Sequence, residues 1–203
     1  MRLLQLSSDT EKDTMIDLAT GAMDCKEGVI EIVQDDSRHK AAIGPMAERG
    51  RNTGPVPAIW QPLSASRPGL VGFVAANGGL ISNLKIWENV TLPLWYHSRH
   101  EVTETEQRVM HWLGVLEFEP DACAGFMAAL PYSIEPWQRK SAGLLRALVQ
   151  MPQVLVVDAD LFDDVKTRLQ LSWITALEAY AAQGNTVLVM ADKATTLPWT
   201  MIE

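Results

Sequence analysis

Cysteine is scarce: Cys25 and Cys123 are the two in 203 residues. They lie far apart with no CxxC spacing, which argues against a disulfide framework or a cysteine-built zinc site and suits a reducing cytoplasm. No run of about 18 apolar residues is present, so no membrane span is expected. The opening MRLLQLSSDTEKD turns polar after six residues, too soon for a signal-peptide core. Basic tracts are missing as well. Seventeen Lys and Arg stand against 25 Asp and Glu, a net charge of −8. A nucleic-acid partner is disfavoured, because phosphate binding needs clustered cations. Of the four histidines, His39, His97, His100 and His111, only His97 and His100 approach a metal-ligand spacing, and they read as surface residues. No metal site is expected.

What is present is a core. Hydrophobic residues make up 47% of the chain and charged residues 21%, values of a folded domain rather than a disordered one. The length fits one large domain or a core with a small subdomain. Seven tryptophans read mostly as core or subdomain-contact residues. Leu3–Leu6 reads as a strand, and Met15, Leu18, Ala19 and Ala22 recur at helical spacing after it. Val29–Val33 and Val71–Val74 read as strands. Between them, residues 40–68 hold five of the eleven prolines and read as loop. Residues 86–95 suit a short helix or an extended segment. Helices are expected at Glu104–Leu113, from Pro136 to Gln150, and over 164–182, the last closed by Gly184. Val154–Val157 and Thr186–Met190 are the apolar runs of strands buried on both faces. Strands alternating with helices predict a mostly parallel α/β sheet.

The segment GFVAANGGLISNLKIWENVTLPLWYH, residues 72–97, carries a resemblance. It resembles the Q-loop region of ATP-binding-cassette (ABC) transporter ATPases, nearest to the lipid-transport type that partners MCE-protein systems. Asn77, Gly78, Gly79, Leu80, Glu88, Asn89, Val90, Leu92, Pro93 and Leu94 fall in place with that family, and the remaining landmarks follow in register from about residue 3 to 193. The resemblance implies a P-loop NTPase α/β core with an inserted helical subdomain, the N-terminal antiparallel β-subdomain being missing or reduced. Residues 1–75 and 150–203 would form the core and 76–149 the Q-loop and helical subdomain.

In that register the nucleotide-handling motifs are altered. Walker A chemistry uses G-x-x-x-x-G-K-[ST], in which glycines let backbone N–H groups wrap phosphate, Lys neutralises it and a hydroxyl holds Mg²⁺. Here Leu6 and Glu11 stand at the glycines and Asp13 at the hydroxyl; Lys12 is kept, with Thr14 beyond it. Asp9, Glu11 and Asp13 would put three negative charges where polyphosphate sits. Each repulsion costs about 1–4 kcal/mol at contact distance, enough together to erase micromolar affinity, worth about 8 kcal/mol. Read without the resemblance, Ser8-x-x-Glu11 is a helix capping box with acids at the favoured end.

Ala76 stands at the Q-loop Gln, and Ile134-Glu135-Pro136-Trp137-Gln138 at the Leu-Ser-Gly-Gly-Gln signature. Pro136 removes an N–H donor, Trp137 blocks approach and Glu135 repels phosphate; taken bare, the segment is a helix start with a basic face. Walker B keeps Asp158, but Ala159 replaces the general base, assistance from which is typically worth about 10²–10⁴ in rate, and Asp160 replaces a proline. The region 161–164 reads Leu-Phe-Asp-Asp, and Asp192 replaces the switch His.

These substitutions imply a non-catalytic subunit, with no cofactor expected and Lys12, Thr14 and Asp158 as vestiges of nucleotide binding. The intact segment implies docking through Asn77, Gly78, Gly79, Leu80, Trp87, Leu92 and Pro93 on a membrane permease or an active ABC ATPase, at the inner face of the membrane. The alternatives are a divergent active subunit using ATP and Mg²⁺, and a soluble protein-binding scaffold.

Overall fold

The computed structural model describes residues 2–5, 9–20, 32–34, 37–39, 71–97, 102–191 and 201–202. The apolar runs become a five-stranded parallel sheet. Strands β1 (Arg2–Gln5), β4 (Val71–Val74), β5 (Val154–Asp158), β6 (Thr186–Ala191) and β7 (Met201–Ile202) lie in the order β4-β5-β6-β1-β7. Four of the five residues of β5 are buried, as a central strand covered on both faces requires. Its register against β6 runs from Val154↔Thr186 to Asp158↔Met190, and β4 sets Val74 beside Val157. Asp158 therefore stands at the carboxyl edge of the sheet, the edge from which the turn after β4 and helix α1 (Asp9–Thr20) also leave. Side chains from elements separated in sequence meet there, as they do at the ligand-binding edge of open α/β sheets.

The helices follow the apolar periodicity, with changes at their ends. Helix α2 covers Ile86–His97 and continues through Pro93, so residues 86–95 are helical rather than extended. Helix α3 is Val102–Val115, and α4, Pro120–Ala128, starts on a proline, which suits a first turn because its missing N–H would have no partner there. Helix α5 spans Pro136–Gln150 and α6 spans Thr167–Ala182. The sequence places the start of α6 at 164, but Asp164 takes a left-handed φ of 56° and Lys166 is an extended N-cap, which delays the helix. Among the described residues, strand β2 (Ile32–Gln34) pairs with β3 (Ser37–His39) alone, antiparallel and separate from the main sheet. Residues 29–31, the proline-rich stretch 40–68, and Leu6, Ser7 and Ser8 lie outside the described residues.

One core joins sheet and helices. It includes Val74, Ile86, Val90, Trp112, Leu144, Leu148, Leu155, Trp173 and Tyr180, all essentially inaccessible. Of the tryptophans, Trp112 and Trp173 are core residues, and Trp87 packs on the core from its margin, whereas Trp95 is 65% exposed. No helix among the described residues is long and apolar enough to cross a membrane.

Candidate functional site

Lys12 is the fourth residue of α1, and the helix aims it at the end of β5. Its side chain is 3% exposed. Its ammonium donates to Asp160 Oδ2 at 2.6 Å and lies 3.3 Å from Asp158 Oδ1. Burial disfavours the charged ammonium, but the hydrogen bond from Lys12 to Asp160 and the charge of Asp158 outweigh it and hold the Lys12 pKa above its ordinary value. Asp158 shifts upward as well. Burial is the leading cause, and it prevails over the backbone N–H of Asp160 and the charge of Lys12. One cation thus faces two carboxylates in a place largely closed to water.

The segment carrying Asp160 is a 3-10 turn, Ala159–Phe162. Asp158 caps it by accepting from the Asp160 N–H at 3.1 Å. Lys140, on the first turns of α5, donates to two of its carbonyls, Asp160 at 3.2 Å and Leu161 at 3.1 Å, and to that of its C-cap Asp163 at 2.8 Å. Gln170 on α6 donates to the Phe162 carbonyl at 2.7 Å. The turn is held from three sides, so the Asp160 carboxylate is fixed rather than free to swing away from Lys12.

The α5 start caps itself. The Glu135 side chain accepts from the backbone of Gln138, and Gln138 Oε1 accepts from the Glu135 N–H at 2.9 Å, a reciprocal capping box that supplies an anion at the positive helix end. Arg139 donates inward to the Pro131 and Ile134 carbonyls at 3.2 and 2.8 Å. The expected basic face is therefore turned toward backbone: Arg139 and Lys140, both half-buried, satisfy carbonyls. Trp137 is half-buried beside Phe118, ring centroids 6.0 Å apart.

The turn after β4 is fastened to α5. Gly78 and Gly79 have φ of 86° and 59°, the left-handed region where glycine carries no steric cost. Arg146 donates to the Gly79 and Gly78 carbonyls at 2.8 and 3.2 Å, and Gly143 lets the Gly78 backbone reach the helix surface. Asn89 on α2 closes the other side. Its Oδ1 accepts from the Ile81 N–H at 2.7 Å, and its amide donates to the carbonyls of Ile81, Leu84 and Lys85.

The structure brings Lys12 and Asp158 together, as the register implies. Thr14 does not join them; its hydroxyl donates to the Thr10 carbonyl within α1. Glu11 and Asp13 are exposed, and the carboxylates placed on the Lys12 ammonium are those of Asp158 and Asp160. Ala159 follows Asp158 and is 7% exposed, and Ala76 lies half-buried in the turn. Asp192 falls outside the described residues. Of the candidate docking residues, Asn77 and Gly79 are exposed, Gly78 is buried, and Leu80 and Trp87 pack on the core; Leu92 and Pro93 are half-buried. Sequence reasoning missed the partnership of Asp160 with Lys12, the clamp by Lys140, and the exposure of Ile81 and Tyr132 (43% and 75%) on the segments flanking these turns. Among the described residues no cluster of His, Cys, Asp and Glu could hold a metal ion.

The architecture matches solved ATP-binding cassettes. A dimeric cassette in a post-hydrolysis state bound to ADP and Pi superposes with a TM-score of 0.68 at 20% identity, over 95% of this chain and 75% of that one. The ATP-binding subunit of an ABC transporter gives 0.68 at 15% identity, over 94% and 67%. The chain therefore has the P-loop NTPase α/β fold of ABC ATPase cassettes. In sequence it is 30% identical over 89 residues to proteins of Mycobacterium bovis and Mycobacterium tuberculosis named "probable ribonucleotide transport ATP-binding protein mkl". The matched stretch is 44% of this chain and spans about a quarter, 23%, of the mycobacterial proteins' length. No family model matches the chain.

Proposed function

We propose that this chain is a non-catalytic, ABC ATPase-like subunit of a membrane transporter. It docks on a permease at the inner face of the membrane and contributes no ATP hydrolysis. The observation that carries this reading is the state of Lys12. Its ammonium, the one phosphate-binding group kept from the Walker A pattern, is buried against Asp160 and Asp158. Mg²⁺–ATP does not fit these residues. An incoming phosphate would have to displace the Asp160 carboxylate, which sits on a turn fastened by Lys140 and Gln170, and would meet two negative charges beside the cation. Methyl groups stand at the general-base and Q-loop positions, Ala159 and Ala76. At the signature position Glu135 already occupies the positive end of α5.

The lipid-type assignment rests on the segment 72–97; the ribonucleotide cargo in the mycobacterial name belongs to those proteins. Docking is assigned to the turn with exposed Asn77 and Gly79 and to its neighbour Ile81. Gentle detergent extraction of the native host with tagged chain is expected to recover a permease subunit, and Ile81→Asp to reduce that recovery about tenfold, as loss of an interface anchor does. Recovery of no permease, or equal recovery with Ile81→Asp, would count against the reading.

A further inference from the structure

A continuous path of polar and packing contacts joins Lys12 to the turn after β4, and it does not depend on any partner. The first step is the ion pair between α1 and the 3-10 turn Ala159–Phe162, 2.6 Å from Lys12 to Asp160. The second is the Lys140 ammonium, which binds that turn's carbonyls from α5. The third lies on α5 itself. The Gly78 backbone rests against the Arg139 carbonyl and Lys140 Cα, close enough that a Cβ on Gly78 would meet them at 2.3 and 3.3 Å. One and two turns further along, Gly143 abuts the Gly78 backbone and Arg146 binds the Gly78 and Gly79 carbonyls. Lys140 thus touches both ends of the path, its head group on the Asp160 turn and its backbone beside Gly78.

We propose that Asp160 and Lys140 are positioning residues that, through helix α5, fix the conformation of the turn Ala75–Ile81. The Lys12 site and this turn then form one mechanical unit. The physical basis is that a packed helix transmits displacement instead of absorbing it. The turn has little to hold it besides α5 and Asn89: its internal bonds are Gly78 N–H to the Ala75 carbonyl at 2.9 Å and Gly79 N–H to Asn77 Oδ1 at 2.9 Å. If Asp160 loses its charge, the tie of the 3-10 turn to α1 weakens to a hydrogen bond onto a neutral acceptor. Lys140 then holds a looser segment, and the helix surface against Gly78 gains freedom.

This goes beyond the transporter reading and survives its failure, because the test needs no partner. Amide hydrogen exchange is followed at residues 78–81 in the wild type, Asp160→Asn, Lys140→Met and Ile174→Ala, the last a core control away from the path. Asp160→Asn and Lys140→Met are expected to speed exchange at 78–81 about tenfold relative to that at β6, as local opening does; Ile174→Ala is expected to leave that ratio unchanged. Faster exchange confined to 9–20 and 159–163 would overturn the proposal, as would a turn that responds to Ile174→Ala as strongly as to Lys140→Met. Lys140→Met leaves the Lys12 pair intact, so it carries the test alone if Asp160→Asn does not fold.

Discussion

Replacing Gly143 with alanine is expected to destabilise the protein by about 2 kcal/mol, read as a fall in the urea midpoint. A Cβ at this position would lie 2.3 Å from the Gly78 carbonyl oxygen and 2.5 Å from Gly78 Cα. These are backbone atoms of a residue at φ 86°, and the Gly78 carbonyl is bound by Arg146. Neither side can yield by turning a side chain, so relief requires moving α5 away from the turn, an overpacking cost of about 3 kcal/mol. The better helix propensity of alanine returns about 1 kcal/mol. Gly114 and Gly125 are controls: each lies in a helix, and an added Cβ there meets nothing within 4 Å. Alanine at those two sites is expected to be neutral or to stabilise by about 0.5–1 kcal/mol. A Gly143→Ala protein as stable as Gly114→Ala would show that the helix and the turn are not in the described contact.

Lys12→Met is expected to cost about 3–4 kcal/mol at neutral pH, because it takes the buried cation away from Asp158 and Asp160, the costly case of a broken buried pair. The pH dependence separates this from a simple packing loss. Lys12 has its folded-state pKa raised above 10.5, so its stabilisation is complete below 10.5 and is lost as pH rises through the higher folded value. The gap between wild type and variant should therefore narrow in strong alkali. It should narrow in acid too. Asp158 already sits above 3.8 through burial, and without the ammonium it shifts further upward, so the variant gains stability as pH falls toward 3.8. Urea midpoints across the pH range check both limits. A constant gap at all pH would assign Lys12 a packing role only.

Much of the fold was legible because its signals are local. The apolar runs at 71–74, 154–157 and 186–190 and the helical spacing of 136–150 need no tertiary information, and they supply four principal elements of the core. The pairing of Lys12 with Asp158 followed from register with a known pattern. What could not be read is the part that depends on distant residues. Asp160 stands 148 positions from Lys12, and nothing in the Asp-Ala-Asp run says that both aspartates turn toward the lysine. Glu11 and Asp13 lie beside Lys12 in sequence, but a helix sends neighbouring residues in different directions, and these two are exposed where Lys12 is buried. Asn77-Gly78-Gly79 was read as a docking motif. In the structure Gly78 and Gly79 also serve packing, since they give α5 room to approach and give Arg146 two carbonyls.

The central claim is that the chain's own carboxylates hold Lys12 and leave no place for nucleotide. Isothermal calorimetry of the purified chain with Mg²⁺-ATP tests it most directly. The account predicts no binding heat up to millimolar nucleotide. Saturable binding at micromolar affinity, worth about 8 kcal/mol, would contradict it, because that affinity requires Lys12 to leave Asp160 for phosphate.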